Sequence, residues 1–323
     1  KKKTINRKFY YKGKVDKHES ASDVDRNTFF DLASLTKPLV TVLGLLALKK
    51  ERKFEFADRI EKYLPFNLPV DKKEIKIIDL IRHTSGLPAH REYFKLITKN
   101  RKRIDATDVI NKIIEEKLIC GPGDKYIYSD LDYILLGYFI EQLSGESIGN
   151  FWQRNISKVL KISEEFFYEG VNNKKDIMNI SSAVTGFCSW SGSKLCGKVH
   201  DDNCRAINRI SGHAGLFGTL TGILTLCEDI FLTYSGIKEN SAYAREDLLY
   251  LLKKRKKQHW AYGFDVPTGK NPSSGHYFSK RTIGHLGFTG TSFWIDLDKK
   301  IIVVVLTNRV IYGEDNRKIK EMR

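Results

Sequence analysis

From about residue 260 the chain breaks into short runs, HWAYGFDV, TIGHLG, TSFWIDLD and IIVVVLTNRV, each rich in β-branched and aromatic residues and separated from the next by Gly or charged turns. That pattern dictates an antiparallel meander. The rest of the chain reads differently. Residues 5–16 are extended, with aromatics ahead of a Lys-Gly-Lys turn. From Leu39, apolar residues fall at Leu39, Val42, Leu43, Leu46 and Ala47, the spacing of a helix with one buried face. Residues 104–117, 131–143 and 219–234 are also helical; Leu131, Ile134, Leu135, Tyr138 and Phe139 line one face of the second, and Gly145 is placed to end it. Strand, helices, then strands implies an α/β (α+β) fold: an antiparallel sheet flanked by helices and built from both chain ends, with a mainly helical insertion. The expected division is residues 1–62 plus 250–323 around the sheet and 63–249 as the helical part, with the active site at their junction.

Size and charge exclude other classes. A chain of 323 residues buries a sizeable core and folds as one large or two modest domains. The longest apolar stretch, Leu39 to Leu48, is about half of a bilayer span and is interrupted by Thr41 and Gly44, so no transmembrane segment is expected. The chain opens Lys-Lys-Lys without Met or an apolar signal core, so an export signal is expected to be absent from this chain. The net charge of +16 is spread over scattered clusters (Lys49 to Lys53, Lys99 to Arg103, Lys253 to Lys257) beside helix-like segments, without interleaved aromatics. They read as solvated helix ends rather than a nucleic-acid surface. The cysteines Cys120, Cys188, Cys196, Cys204 and Cys227 are odd in number and contain no C-x-x-C; they read as free thiols, with one disulfide among the three spaced eight apart as the alternative. The histidines lack zinc-site spacing, so neither metal nor other cofactor is expected.

The chemistry concentrates at Ser34-Leu35-Thr36-Lys37, where the buried helix begins. A spacing of three puts Ser34 and Lys37 one turn apart on one face. The helix N-terminus favours negative charge near the serine, and a desolvated lysine is expected to lose basicity until it can serve as a neutral base. Pro38 suits the first turn, which needs no donor from it. Two further S-x-x-K pairs, Ser191/Lys194 and Ser235/Lys238, lie beside Gly in loop-like stretches and serve as internal controls for chance. What raises the first is its company. Tyr128-Ser129-Asp130 follows Gly121-Pro122-Gly123 and precedes a helix, and His285-Leu286-Gly287-Phe288 lies on a strand with Gly where a close backbone approach is useful. Gly145-Glu146-Ser147-Ile148-Gly149 matches a G-x-S-x-G nucleophile elbow, but a helix precedes it, so Gly145 reads as a C-cap and Ser147 as an N-cap. His200-Asp201-Asp202-Asn203 reads as a hydrogen-bonded loop anchor, with a cleft lining as the alternative, and His83-Thr84-Ser85-Gly86 as a structural turn.

FDLASLTKPLVT (30–41), LIRHTSGLP (80–88), PGDKYIYSDLDYILLGYFIEQLSGES (122–147), VHDDN (199–203), SGHAGLFGT (211–219) and GHLGFTGTSFWID (284–296) together carry a resemblance to the serine β-lactamase and penicillin-binding-protein superfamily. The chain is most similar to its class C type hydrolases, which include β-lactamases, D-alanyl-D-alanine carboxypeptidases and esterases. The resemblance implies Ser34 as acylated nucleophile, Lys37 as its proton partner and Tyr128 as the phenolate or relay. It implies an oxyanion hole from the backbone N–H groups of Ser34 and Phe288, with Asp130, His285 and Gly287 binding substrate. Preorganised donors of this kind contribute roughly 3 kcal/mol each to transition-state stabilisation.

The chain departs from the family pattern at three points. Asp130 stands where many relatives have Asn, so an amide donor becomes an acceptor unless it is protonated or paired with Lys37. His285-Leu286-Gly287 stands where β-lactamases have Lys-Thr-Gly, which removes a hydroxyl and a full positive charge. Relatives also have a helix and an edge strand before the segment matching residues 5–16 and a longer helix after Asn316, so the chain reads as trimmed at both ends. The resulting expectation is a serine hydrolase acting on a cell-envelope peptide or small molecule, in the periplasm, envelope or secreted, with an anionic envelope polymer as a further partner. A carboxylesterase or weak β-lactamase, and an inactive envelope-binding pseudoenzyme, are the alternatives.

Overall fold

The computed structural model describes residues 5–97, 104–168, 181–188, 190–207, 209–253, 260–315 and 318–322. The basic runs at 99–103 and 254–257 lie largely outside them. Strands β1 (Phe30–Asp31), β2 (Phe166–Phe167), β3 (Gly186–Cys188), β4 (Ser193–Leu195), β5 (Phe217–Gly218), β6 (Trp260–Ala261), β7 (Phe264–Asp265), β8 (Thr282–Leu286), β9 (Ser292–Asp296) and β10 (Ile301–Val305) form three sheets. The largest is the meander that the C-terminal runs demand, antiparallel in the order β10-β9-β8-β7-β6. Its register sets His285 opposite Phe293 and Leu286 opposite Ser292.

Both chain ends meet here, but they contribute differently. The five strands all come from residues 260–305, whereas residues 5–12 are almost wholly exposed and carry no ladder. Arg7 ties that segment down, gripping Glu228 with Nε at 2.8 Å, and beyond it Val15 O accepts from Val184 N at 2.8 Å and from Asn308 Nδ2 at 3.2 Å. A second, three-stranded sheet of order β1-β5-β2 was not expected from sequence, because each strand is only two residues long.

The chain from Lys37 to Val42 is a π-helical stretch that continues into α1 (Leu43–Lys50). The sequence predicted one buried face, yet every residue from Leu35 to Leu48 is buried. The reason is its central place: an apolar helix surrounded on all sides has no solvated face to show. Against it pack α4 (Asp130–Ser144) and α5 (Ile148–Trp152), with α2 (Ile77–Ile81) and α3 (Ala106–Glu115) on the flanks of α4; then come α6 (Asp202–Ile207), α7 (Leu220–Tyr234), which covers β9 and β10, and α8 (Arg245–Leu252), which also meets α1. Helix α4 comes close to α1 because Gly44 has no side chain: a Cβ there would sit 3.2 Å from Ile140 Cδ1. Gly145 ends α4 in the left-handed conformation and Ser147 caps α5 by accepting from Asn150 N, as the elbow-like motif was read. The Lys49–Lys53 cluster is the end of α1, where Lys49 meets Glu55 and Lys53 meets Glu51, both at 2.8 Å. All five cysteines are free thiols.

Candidate active site

Strand β1 delivers the chain into a turn, Ala33–Leu35, at the mouth of the central helix. Ala33 takes φ 46°, a conformation that costs a residue with a side chain about 1–3 kcal/mol. Its N–H donates to Asp31 Oδ1 at 2.8 Å, and Asp31 Oδ2 accepts from His200 N at 2.7 Å, so the buried carboxylate braces the turn from both sides. Ser34 is thereby presented half-buried, followed by a wholly buried Lys37.

Lys37 Nζ reaches Ser34 Oγ at 3.0 Å, Asp130 Oδ1 at 2.7 Å and His213 O at 3.3 Å. The Tyr128 hydroxyl is hydrogen-bonded to both Ser34 and Lys37, and the ammonium sits 5.0 Å from the Tyr128 ring centroid. The other S-x-x-K pairs do not assemble: Lys194 pairs with Asp16 and Lys238 with Asp229. Asp130 turns its second oxygen to the half-exposed His90, whose Nδ1 lies at 3.3 Å.

The electrostatics overturn one expectation. Burial pulls the Lys37 ammonium down, but the Asp130 carboxylate and the Tyr128 oxygen more than offset it, and Lys37 lies above its ordinary value. For Asp130, burial pushes up while Lys37, His90 and His213 pull down, leaving it well below the usual carboxylate range. Lys37 is therefore a charged partner of Asp130, not a neutral base: desolvation alone would have neutralised it, and the carboxylate in place of an amide prevents that. Burial pushes the Tyr128 phenol up, against the pull of Lys37, with a net rise. His285 is pushed down to about 3 by burial and by Lys37, so it is an uncharged ring, buried beside Tyr128 at 6.2 Å with Nδ1 on Leu286 O.

The Tyr128 loop is held by the segment 83–89, so the structural-turn reading of His83 becomes more specific. Ile127 N donates to His83 O, Ser129 N to His83 Nδ1, Ser129 Oγ to Pro88 O and Asp130 N to Ala89 O, all within 3.1 Å. The His83 ring lies 4.6 Å from that of Tyr128. Burial holds His83 and its neighbour Asp132 towards their neutral forms. Gly86 is needed here: φ is +84°, and a Cβ would lie 2.1 Å from Cys120 O.

The turn after β8 closes the other wall. Thr289 Oγ1 donates to Asp31 O at 2.7 Å and Thr291 Oγ1 to Leu32 O at 3.2 Å, stitching 287–291 to the residues just before Ser34. Gly287 permits this approach, since a Cβ would meet Thr291 Oγ1 at 2.1 Å and Leu32 O at 2.8 Å. Phe288 is half-exposed; Arg309 donates to its carbonyl at 2.8 Å and lies over its ring, and His200 packs 5.4 Å from it. The 200–203 loop is thus a hydrogen-bonded anchor: Asn203 bridges Phe94 N and Arg91 O, and Asp201 binds His213 Nε2 at 3.0 Å.

The structure therefore brings Ser34, Lys37, Tyr128 and Asp130 into one hydrogen-bonded cluster, and sets His285, Gly287 and Phe288 on the strand and turn beside it. Sequence reasoning missed Ala33, His90 and the His213 carbonyl. His213 stands inside a motif-bearing segment and His90 two residues beyond one, but a backbone acceptor and a strained φ leave no composition signal.

The model of the family described as Beta-lactamase matches residues 5–322. A protein of Escherichia coli (strain K12) with the name "Putative D-alanyl-D-alanine carboxypeptidase" is 30% identical over 301 residues, covering 87% of this chain and 69% of that one. Among solved structures, a hydrolase with promiscuous acyltransferase activity, EstCE1, aligns with a TM-score of 0.71 at 20% identity, over 96% of this chain and 88% of its own. An octameric penicillin-binding protein homologue from Pyrococcus abyssi aligns at 0.69 and 18% identity, over 92% and 65%. These structural likenesses show the shared fold.

Proposed function

This chain belongs to the Beta-lactamase family and is a serine hydrolase, and from that premise we propose that it works through an acyl-enzyme at Ser34 on a cell-envelope peptide. The observation that carries the reading is the 3.0 Å contact from Lys37 Nζ to Ser34 Oγ, with the Tyr128 hydroxyl bonded to both. In this reading Ser34 Oγ attacks the substrate carbonyl carbon and its proton passes to the Tyr128 oxygen. The charge developing on the carbonyl oxygen is met by the Ser34 and Phe288 N–H groups. The bond to the leaving group breaks as Tyr128 gives up the proton to it, and water then cleaves the acyl-enzyme by the reverse route. Lys37, kept charged by Asp130, steadies the Tyr128 oxygen as negative charge grows there. Phenol and ammonium are both protonated at rest, so the Tyr128–Lys37 unit sheds one proton before Ser34 is activated.

The peptide substrate is favoured by the name that the Escherichia coli relative carries. A small ester is the second reading, and the uncharged His285 beside Leu286 favours it, since neither supplies a charge for a substrate carboxylate at that point. We take the chain as two subdomains, 1–62 plus 250–323 and 63–249, with the cleft between them, and an envelope setting with an anionic polymer against its basic surface. No helix among the described residues is long and apolar enough to cross a membrane. Intact-protein mass spectrometry after a fluorophosphonate or penicillin tests the mechanism: an adduct that disappears in Ser34→Ala supports it, and well-folded protein with no adduct from either reagent overturns it in favour of a binding protein. Comparing p-nitrophenyl ester turnover with D-alanine release from a D-Ala-D-Ala peptide decides between the substrates.

A further inference from the structure

A second cavity, of about 680 Å³, lies at the β6–β8 edge of the large sheet, under α8 and the end of α7. Its walls are apolar: Leu249 and Leu252 from α8, Ala261 and Val266 from the β6–β7 hairpin, Ile283 from β8 and Leu297 after β9. Cations also line it. Lys253, Lys280 and Arg281 all line it and all are exposed, and Arg281 already meets Asp298 at 3.0 Å. A volume in the range of small-molecule sites, apolar walls and cations in the lining together describe a ligand site.

We propose that this cavity binds a single-chain amphiphile with an anionic head, such as a fatty acyl carboxylate, its tail along Leu249, Leu252 and Ile283 and its carboxylate at Lys280 and Lys253. The assignment follows from the lining: the apolar walls select a hydrocarbon tail, and the cations select a negative head over a neutral one. No residue of the Ser34 cluster takes part.

The site is tested by calorimetric titration with sodium octanoate, decanoate and dodecanoate below their micelle concentrations, with dodecanol as the neutral control. Each methylene buried is expected to tighten Kd by about fourfold, so dodecanoate binds roughly 250-fold more tightly than octanoate. Lys280→Glu weakens dodecanoate binding by about five- to tenfold and leaves dodecanol unchanged. Val266→Trp and, separately, Ala261→Phe fill the cavity and abolish binding of both, with circular dichroism and the Ser34 fluorophosphonate adduct unchanged. Two filling variants are used so that a folding failure in one leaves the other to decide. Affinity that does not depend on chain length, equal binding of acid and alcohol, or full binding by a folded filling variant overturns the assignment.

Discussion

Replacing Asp130 by Asn tests the electrostatic account of the site most directly, because the amide has the same shape and removes only the charge. Lys37 is wholly buried and the Asp130 side chain is one-fifth exposed, with 2.7 Å between Nζ and Oδ1. Removing one partner of a buried ion pair costs about 3–5 kcal/mol, because the other charge is left without compensation. Asn keeps an acceptor, and Ser34 Oγ and His213 O remain in place, so we set the loss at about 2–3 kcal/mol, or roughly 3–5 °C in Tm for a chain of this size. The pH dependence has a definite sign. Asp130 titrates in the fold below its ordinary 3.8, so its stabilisation is present above that value and fades as pH falls towards the folded one. Lys37 titrates above its ordinary 10.5, so its stabilisation holds below that value and fades as pH rises through the folded one. Between about pH 3 and 10 the gap between Asp130→Asn and the parent protein should shrink at the acid end, as the Asp130 contribution fades, and shrink again at the alkaline end, where the variant's desolvated Lys37 gives up its proton while the parent's keeps it. Thermal melts across that range measure it. A variant that melts within 1 °C of the parent at pH 7, by the same scale of roughly 1.5 °C per kcal/mol, or a gap that stays constant down to pH 3, would refute the claim that this carboxylate keeps Lys37 charged.

Other tests follow from the same geometry. The rate of fluorophosphonate labelling is expected to rise about tenfold per pH unit between about pH 6 and 9, as the Tyr128–Lys37 unit loses its proton; a plateau reached near neutrality contradicts the assignment of that unit as proton acceptor. Gly287→Ala drives a methyl group to within 2.8 Å of Leu32 O, a backbone atom that cannot swing aside, and is expected to cost about 1–3 kcal/mol in urea melts and to slow labelling sharply. His285 is pushed down to about 3, so between its ordinary 6.5 and that value the unfolded chain takes up a proton that the folded chain refuses. Stability therefore falls on acidification by on the order of 1.4 kcal/mol per pH unit from this group, and His285→Gln should flatten that limb. Leu286→Thr restores a hydroxyl at the end of β8 and should speed penicillin acylation; an unchanged rate refutes the missing hydroxyl as the obstacle.

The carboxylate at 130 also explains why desolvation was a poor guide to Lys37. The helix start and the burial were readable from an apolar run after Ser-x-x-Lys, and from those two facts a neutral amine follows. What reverses the conclusion is an acceptor 93 residues away that arrives on the first turn of α4. Its identity was visible in the sequence, and pairing with Lys37 was one of the options for it. Only the packing of α4 against α1 chooses that option, and that packing depends on Gly44 admitting Ile140 at close range.

Local patterns sufficed wherever the cause of structure is local. The meander after residue 260, the extents of α3, α4 and α7, the left-handed end of α4 at Gly145 and the cap at Ser147 all follow from side-chain period and capping chemistry within a few residues. Ser34, Lys37, Tyr128 and the Gly287 turn were identifiable because their motifs are contiguous. Tertiary structure decided the rest: the burial of α1 on every side, the two-residue strands β1, β2 and β5 that pair across distant parts of the chain, the positive φ at Ala33, the contributions of His90 and His213, and the charge on Lys37. Each of these depends on what a residue meets from elsewhere in the chain, and charge states and backbone strain are set by such neighbours rather than by the residue's own identity.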